Sequence, residues 1–100
     1  MEKTIKFKDH LMQELKDPEM AAEFLNACFE DDDPELILLA LRDVAEALGG
    51  INEIAKKTKV SRMTLYRALS KGGNPEFLSL FDILKALNLK LSFKPNRKFG

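Results

Sequence analysis

Four side chains between residues 62 and 67 have the types and spacing that suit base recognition in the major groove of DNA. At about 100° per residue, Arg62, Met63, Tyr66 and Arg67 share one helical face, with Ser70 at its end. Each arginine can give a bidentate contact to guanine O6 and N7 or clamp a phosphate, and Met63 can contact a thymine methyl group. Tyr66 fits either along a sugar–phosphate edge or against the next helix. The pattern predicts base contacts from the first four residues.

Basic and hydrogen-bonding residues surround this face and suit phosphate contacts, which position a protein on DNA without specifying sequence. Residues 51–71 contain six Lys or Arg and one acid. With about five phosphate contacts in each subunit, binding is expected to weaken with a log–log salt slope near −0.9 per neutralised phosphate. The expected phosphate contacts are Lys56, Lys57, Lys59, Ser61, Ser70, Lys71 and Asn74.

Two short helices are needed to present these residues, and a helix-turn-helix over about residues 51–70 meets that need. Ala55, at the fifth position, is small enough for close helix crossing, and Val60 and Leu65, at the tenth and fifteenth, are apolar. The ninth position usually holds glycine in a left-handed conformation. Lys59 stands there, at an expected cost of about 1–2 kcal/mol. The alternative is an ordinary pair of core helices.

Three further helix starts share a capping residue followed by proline: Asp17-Pro18, Asp33-Pro34 and Asn74-Pro75. The capping side chain accepts a free N–H, and proline at the first helical position has no N–H to leave unpaired. An apolar stripe at helical spacing follows each start, and Gly49-Gly50 is expected to end the second helix. A weaker pattern predicts a short helix over residues 9–16.

The tail from Leu89 to Phe93 alternates apolar and polar residues, which is typical of a half-buried strand. A lone strand cannot complete a hydrogen-bond ladder, so it needs a partner such as its symmetry mate. We therefore expect a homodimer with Leu89, Leu91 and Phe93 at its interface, together with the last helix. Two-fold symmetry also suits palindromic sites with centres about 34 Å apart.

Charge divides the chain into two halves. Residues 1–50 carry thirteen Asp or Glu and five Lys or Arg, a balance of −8. Residues 51–100 carry three acids and eleven bases, a balance of +8. The basic half is expected to face a polyanion and the acidic half a different partner, unless the surface charge is merely uneven.

Enzymatic chemistry is not expected, and neither is a metal or cofactor. His10 and Cys28 are the only residues of their types, and Cys28 is expected to be a small core residue. The run Asp31-Asp32-Asp33 lacks the spaced ligands and glycine of a calcium loop. With a single cysteine, no apolar run near the roughly 20 residues of a membrane span, and no apolar signal region at the N-terminus, we expect a cytoplasmic protein.

The chain resembles the addiction-module antidote proteins, which are HigA-like antitoxins with a Cro/repressor-type helix-turn-helix. The resemblance extends from about Phe7 to Phe93. Its most distinctive elements are Ser-Arg-Met-Thr-Leu-Tyr at residues 61–66 and Gly-Asn-Pro at residues 73–75. Lys59 departs from the pattern, because the family usually has glycine there.

The resemblance implies repression of a shared operon by a dimer bound to double-stranded operator DNA. It also implies neutralisation of a RelE/ParE-type toxin encoded beside the antitoxin. Such toxins are basic, so the resemblance places toxin contacts in the acidic half, at Glu30, Asp31, Asp32, Asp33 and Glu35. The alternative for each of these residues is a solvated loop that caps the next helix.

The predicted fold is all-α: a five-to-six-helix Cro/repressor-like helix-turn-helix domain with a short C-terminal β-strand. Residues 1–100 are expected to form one domain, with acidic helices over residues 9–48. Two other functions stay open at this point. One is a stand-alone, phage-type transcriptional repressor, and the other is a protein-interaction module whose helix-turn-helix does not bind DNA.

Overall fold

The computed structural model describes the backbone of residues 2–96 and the side chains of residues 7–96. The two ends of the predicted domain, residue 1 and residues 97–100, lie outside the described residues. The described chain is all-helical, with α1 (Glu2–Glu14), α2 (Pro18–Phe29), α3 (Pro34–Ala47), α4 (Ile51–Lys56), α5 (Arg62–Ala68) and α6 (Phe77–Ala86). Within residues 2–96, no helix is both long and apolar enough to cross a membrane.

Helix α3 is the centre of the packing, because it contacts α1, α2 and α4. Its inward face is the apolar stripe that the sequence predicts, and Val44 on that face is fully buried. The core that forms around it is dominated by aliphatic side chains from all six helices and their ends. The largest fully buried ones are Leu15, Ile54, Leu65, Leu69, Ile83, Leu87 and Val44.

Two of the three predicted helix starts are confirmed. Asp17 caps α2 and Asp33 caps α3, and each carboxylate accepts the backbone N–H two residues later, at 2.9 Å from Glu19 and 3.0 Å from Glu35. The end of α3 also follows the prediction. Gly49 has φ 111°, and the Gly50 N–H donates to the carbonyl of Ala45 at 2.9 Å, which closes the helix with a left-handed glycine.

The third predicted start, at Asn74-Pro75, is wrong. Helix α6 begins at Phe77 with Glu76 as its N-cap, and the Glu76 side chain makes no capping hydrogen bond. The reason lies upstream, where a Cβ on Gly73 would come within 2.4 Å of the Ala68 carbonyl oxygen. Gly73 packs closely on the end of α5, so residues 73–76 form an irregular connection that leads away from α5, and the next helix begins only at Phe77.

Helix α1 is longer than the predicted segment over residues 9–16. It spans Glu2–Glu14, and its first residues lack an apolar stripe that the sequence could reveal. Its C-terminal end is held on the core through Leu15, which is buried, and through the partly buried Leu11 and Met12. Packing at one end therefore stabilises a helix whose other end carries little periodic signal.

The predicted C-terminal strand does not form in the described chain, where residues 89–96 have no regular structure. Asn88, with φ 64°, ends α6, and the Leu89 N–H donates to the Leu84 carbonyl at 2.9 Å. This Schellman-type ending turns Leu89 onto the core, where it is partly buried. Beyond it, Phe93 is 93% exposed, and a single chain offers the tail no strand to pair with.

Replacing Asp33 with alanine is expected to lower the free energy of unfolding by about 1 kcal/mol, since it removes the side-chain acceptor at the start of α3. For a domain of this size that corresponds to a melting temperature lower by roughly 4–8 °C, measurable by circular dichroism. Asp31→Ala is the matched control, because Asp31 lies in the same loop but is not the N-cap. Equal losses of unfolding free energy in the two variants would show that the negative charge, and not the capping hydrogen bond, stabilises the start of α3.

Candidate nucleic-acid interface

The predicted helix-turn-helix region folds as two short helices, α4 and α5, in contact with each other. Ile54 and Leu65 are fully buried between them and the core, and Val60 in the turn is 9% exposed. Ala55, the small residue predicted at the crossing, is partly buried against the core. The structure therefore confirms that Val60 and Leu65, the apolar positions predicted to close the angle between the helices, are buried.

The turn differs from the prediction at Lys59. In the described chain, Asp32 and Asn88 are the non-glycine residues with positive φ, so Lys59 is not left-handed. The Thr58 hydroxyl accepts the backbone N–H of Val60 at 3.3 Å, which supports the turn from a side chain. The expected strain of 1–2 kcal/mol at Lys59 is therefore wrong, because this turn does not use the conformation that favours glycine.

The start of α5 is fixed by Ser61, as the sequence predicts. The Ser61 hydroxyl oxygen accepts the Thr64 N–H at 3.1 Å, and its own proton can be donated to the Thr64 side-chain oxygen at 2.9 Å. At the other end, the Ser70 hydroxyl donates to the Arg67 carbonyl at 2.9 Å. Both serines predicted as phosphate contacts thus already serve the geometry of α5.

The end of α5 is held by a residue that the sequence reasoning missed. Arg42 reaches from α3 and donates its Nε–H to the Leu69 carbonyl at 2.6 Å, in a partly buried position. A cation is favourable at the C-terminus of a helix, where the carbonyls carry partial negative charge. One feature of the sequence could have drawn attention to Arg42: it is the only Lys or Arg between Lys16 and Lys56.

The outer face of α5 presents the four residues predicted to contact bases. Arg62, Met63, Tyr66 and Arg67 are exposed, with Met63 61% and Tyr66 65% exposed. Leu65 lies on the opposite, buried face. Because Tyr66 is so exposed, the structure disfavours the interpretation in which it packs against the next helix.

A groove of about 850 Å³ runs beside this face, between the end of α3, the start of α4 and α5. Its walls include Met63 and Tyr66 and the backbone of Gly49 and Gly50. In the groove, Arg62 Nη1 donates to the side-chain oxygen of Asn52 at 3.1 Å. Asn52 was absent from the residues singled out in the sequence, since nothing in its type or position marks it.

The predicted phosphate contacts divide into two groups. Lys57, Lys59 and Lys71 are exposed around the ends of α5, and Asn74 is exposed in the loop that follows. Lys56 instead pairs with Glu53 one turn earlier on α4, at 3.1 Å. An exposed pair of this kind contributes about 0–1 kcal/mol, so a phosphate can take over Lys56 at small cost.

The acidic residues predicted to contact a toxin lie together around the turn between α2 and α3, and all are exposed. They are Glu30, Asp31, Asp32, Asp33 and Glu35. Some of them are engaged in contacts within the chain. Asp33 caps α3, and Glu30 accepts from Lys94 Nζ of the C-terminal tail at 2.6 Å.

Two partly buried titratable groups, Cys28 and Asp43, have raised pKa values. Burial raises the pKa of the Cys28 thiol, and the nearby Asp31 and Asp43 raise it further. Burial also raises the pKa of Asp43, with a smaller contribution from Glu46. A raised thiol pKa keeps Cys28 protonated and weakly nucleophilic. In the part of the chain with described side chains, no group of three or more ligand-type residues could hold a metal ion.

Comparison with known proteins gives consistent matches over most of the chain. The family model for "Probable addiction module antidote protein" matches residues 4–95. An uncharacterized protein of Haemophilus influenzae is 42% identical over 74 residues, which cover 74% of this chain and 75% of that protein. No solved structure matches. An antidote implies a toxin as partner, and a regulatory rather than an enzymatic role. The chain belongs to the family of probable addiction module antidote proteins.

Proposed function

We propose that the protein is a HigA-like antitoxin of a type II toxin–antitoxin module, acting in the cytoplasm as one antitoxin domain with a Cro/repressor-type helix-turn-helix. In this role it represses its own operon by binding operator DNA and neutralises a RelE/ParE-type toxin. The observation that carries the DNA-binding part is the outer face of α5. Arg62 and Arg67 stand exposed on a short helix whose other face is anchored in the core.

In the proposed complex, α5 enters the major groove with its outer face toward the base edges. Arg62 and Arg67 contact guanines or phosphates, and Met63 contacts a thymine methyl group. Lys57 and Lys59 precede α5 in the chain and Lys71 follows it, and all three are exposed, so in this proposal they contact the DNA backbone. These charges contribute affinity without sequence preference, and Ser61 and Ser70 keep the helix ends in place.

An equilibrium titration tests this part. Fluorescence anisotropy of a labelled duplex from the region upstream of the gene, repeated at several salt concentrations, gives the slope of log K against log salt. We expect a slope of about −0.9 for each phosphate contacted. Absence of binding to both the upstream duplex and random duplexes would contradict the proposal and favour a protein-interaction module.

The toxin-facing part rests on the acidic surface around Glu30–Asp33. A basic toxin would meet exposed carboxylates there, and it would compete with Lys94 for Glu30. The competition costs little, since both side chains of that ion pair are largely exposed. The acidic residues of this surface are exposed to solvent even where Lys94 contacts Glu30.

Co-expression with the product of the neighbouring gene tests the toxin part. We expect the two proteins to purify together and the antitoxin to restore growth when the neighbour is induced. Unrelated genes on both sides, together with no co-purification, would favour a stand-alone repressor. Charge reversal at Asp31 and Asp32 should weaken the complex, and reversal at Glu19 and Glu23 on α2 provides a charge-matched control.

The proposed repressor is a homodimer that uses the tail and the outer side of α6. Leu91 and Phe93 are available there, and Phe77 and Leu78 on α6 are 63% and 73% exposed. Leu89 contributes less than expected, because it packs partly on its own core. In a dimer, two tails could supply each other with the strand ladder that a single chain lacks.

Truncation after Asn88 is expected to convert the dimer to monomers, as measured by sedimentation equilibrium. A second variant, Leu91→Ser with Phe93→Ser, removes the apolar side chains of the tail while leaving Leu89 on the core. Monomers from both variants would support the interface. A truncated protein that still sediments as a dimer would place the interface elsewhere.

A further inference from the structure

We infer that Asn52 is a specificity-determining residue of the DNA-binding face, acting as a positioning residue for Arg62. The inference rests on the proposed function, because it concerns how α5 reads an operator. The observation behind it is the hydrogen bond from Arg62 Nη1 to Asn52 Oδ1, at 3.1 Å across the groove between α4 and α5.

The two residues are placed by rigid parts of the fold. Asn52 lies in the first turn of α4, between the glycine turn that ends α3 and the buried Ile54. Arg62 is the first residue of α5, next to the capping Ser61. Both side chains are exposed, yet each is carried by a helix whose adjacent residues are anchored, so the distance between their backbones is fixed by the core.

The contact leaves a defined part of the guanidinium free. Arginine has only donors, so the amide oxygen of Asn52 must face it and the amide nitrogen must point away. With Nη1 held by Asn52, the edge formed by Nε and Nη2 stays open, and its two parallel N–H groups match O6 and N7 of guanine. The free Asn52 amide N–H groups lie on the same exposed surface, where a phosphate could accept from them.

Fixing the Arg62 side chain before DNA binds affects base preference, because an exposed arginine otherwise samples many rotamers. Without an anchor, the side chain can reach a phosphate or a different base edge about as well as the guanine, and base preference falls. With the anchor, the ordering has been completed before DNA binds, so the bidentate contact is favoured over the alternatives. Asn52 therefore raises selectivity at one base pair more than it raises overall affinity.

The test compares base preferences of the full-length protein and its variants by selection from a randomised operator library. The variants are Asn52→Ala, Asn52→Asp, Arg62→Ala and the Asn52→Ala/Arg62→Ala double variant. Asn26→Ala, an exposed asparagine on α2, is the matched control. Circular dichroism of each variant confirms folding, which is expected to be unchanged because both side chains are exposed.

We expect Asn52→Ala to reduce the preference for guanine at the base pair read by Arg62 roughly threefold to tenfold, as for one lost hydrogen bond. Other positions should keep their preferences. Arg62→Ala should remove the preference at that pair, and adding Asn52→Ala should change it no further. Asn52→Asp retains the acceptor, so it should keep the base preference while lowering overall affinity through repulsion of the phosphates.

Three outcomes would overturn the inference. An Asn52→Ala protein with the wild-type base preference would show that Asn52 does not position Arg62. Tighter binding by Asn52→Ala would show that the contact withholds Arg62 from DNA. Equal effects of Asn52→Ala at every base pair would indicate a phosphate contact only. Failure of the wild-type protein to select any sequence would instead contradict the proposed function, and the inference would fall with it.

Discussion

Replacing both Arg62 and Arg67 with alanine is expected to weaken operator binding by about 2–6 kcal/mol. Each arginine that contacts a guanine contributes about 1–3 kcal/mol of discrimination, and the two lie on successive turns of α5, so their contributions are expected to add. The loss should be much larger on the operator than on random duplexes, because base contacts carry the sequence preference. Anisotropy titrations with both kinds of duplex give the two values.

A charge-matched control distinguishes the loss of base contacts from the effect of removing two positive charges from the protein. Lys16→Ala with Lys90→Ala removes two exposed positive charges that lie outside the α4–α5 region. This variant should change operator affinity far less than the Arg62/Arg67 variant does, because neither lysine is among the residues proposed to contact DNA. If the Arg62/Arg67 variant retained wild-type affinity for the operator, α5 would not be the reading helix.

Leu65→Ala is expected to cause the largest loss of stability, about 2–5 kcal/mol in the free energy of unfolding. Leu65 is fully buried on the inner face of α5, and truncation there leaves a cavity that the surrounding side chains fill only in part. Whole domains are stable by about 5–15 kcal/mol, so this single change removes a large share. Urea denaturation followed by circular dichroism measures it.

Leu78→Ala is the matched control, because it makes the same change in a helix at a side chain that is 73% exposed. It should shift the free energy of unfolding of the monomer by less than about 0.5 kcal/mol. Similar, small effects from the two variants would mean that α5 is not anchored in the core as described. The Leu65→Ala protein should also lose operator binding, since its reading face depends on that anchor.

Features that depend on a few neighbouring residues were predictable from the sequence. The Asp17 and Asp33 caps need only a carboxylate two residues before a free N–H, and both form as predicted. The stop at Gly49 needs only a residue tolerant of positive φ. The buried face of α5 follows from helical spacing, which places Leu65 inward and Arg62 outward.

Features that depend on the approach of distant segments were not predictable. The start of α6 moved from Asn74 to Glu76 because Gly73 packs against the end of α5. The contact of Arg42 with Leu69 joins residues 27 apart in the chain. No local sequence pattern predicts such a contact, because the distance between the Arg42 side chain and the Leu69 carbonyl is determined only when the helices pack.

The tail and the turn were missed for different reasons. The alternation of Leu89 to Phe93 suits a strand, but a strand also needs a partner, which one chain does not provide. At Lys59 the prediction relied on the usual role of glycine, whereas this turn is supported by the Thr58 hydroxyl. The proposed dimer interface and toxin-facing surface remain predictions.

The most direct measurement is a footprint of the protein on the DNA upstream of its own gene. If a dimer reads an operator through α5, protection should cover two half-sites with centres about 10–10.5 base pairs, or a multiple of that distance, apart. The Arg62→Ala/Arg67→Ala protein should give no such protection at the same concentration. Absent or uniform protection by the wild-type protein, at concentrations that saturate the toxin complex, would contradict the account.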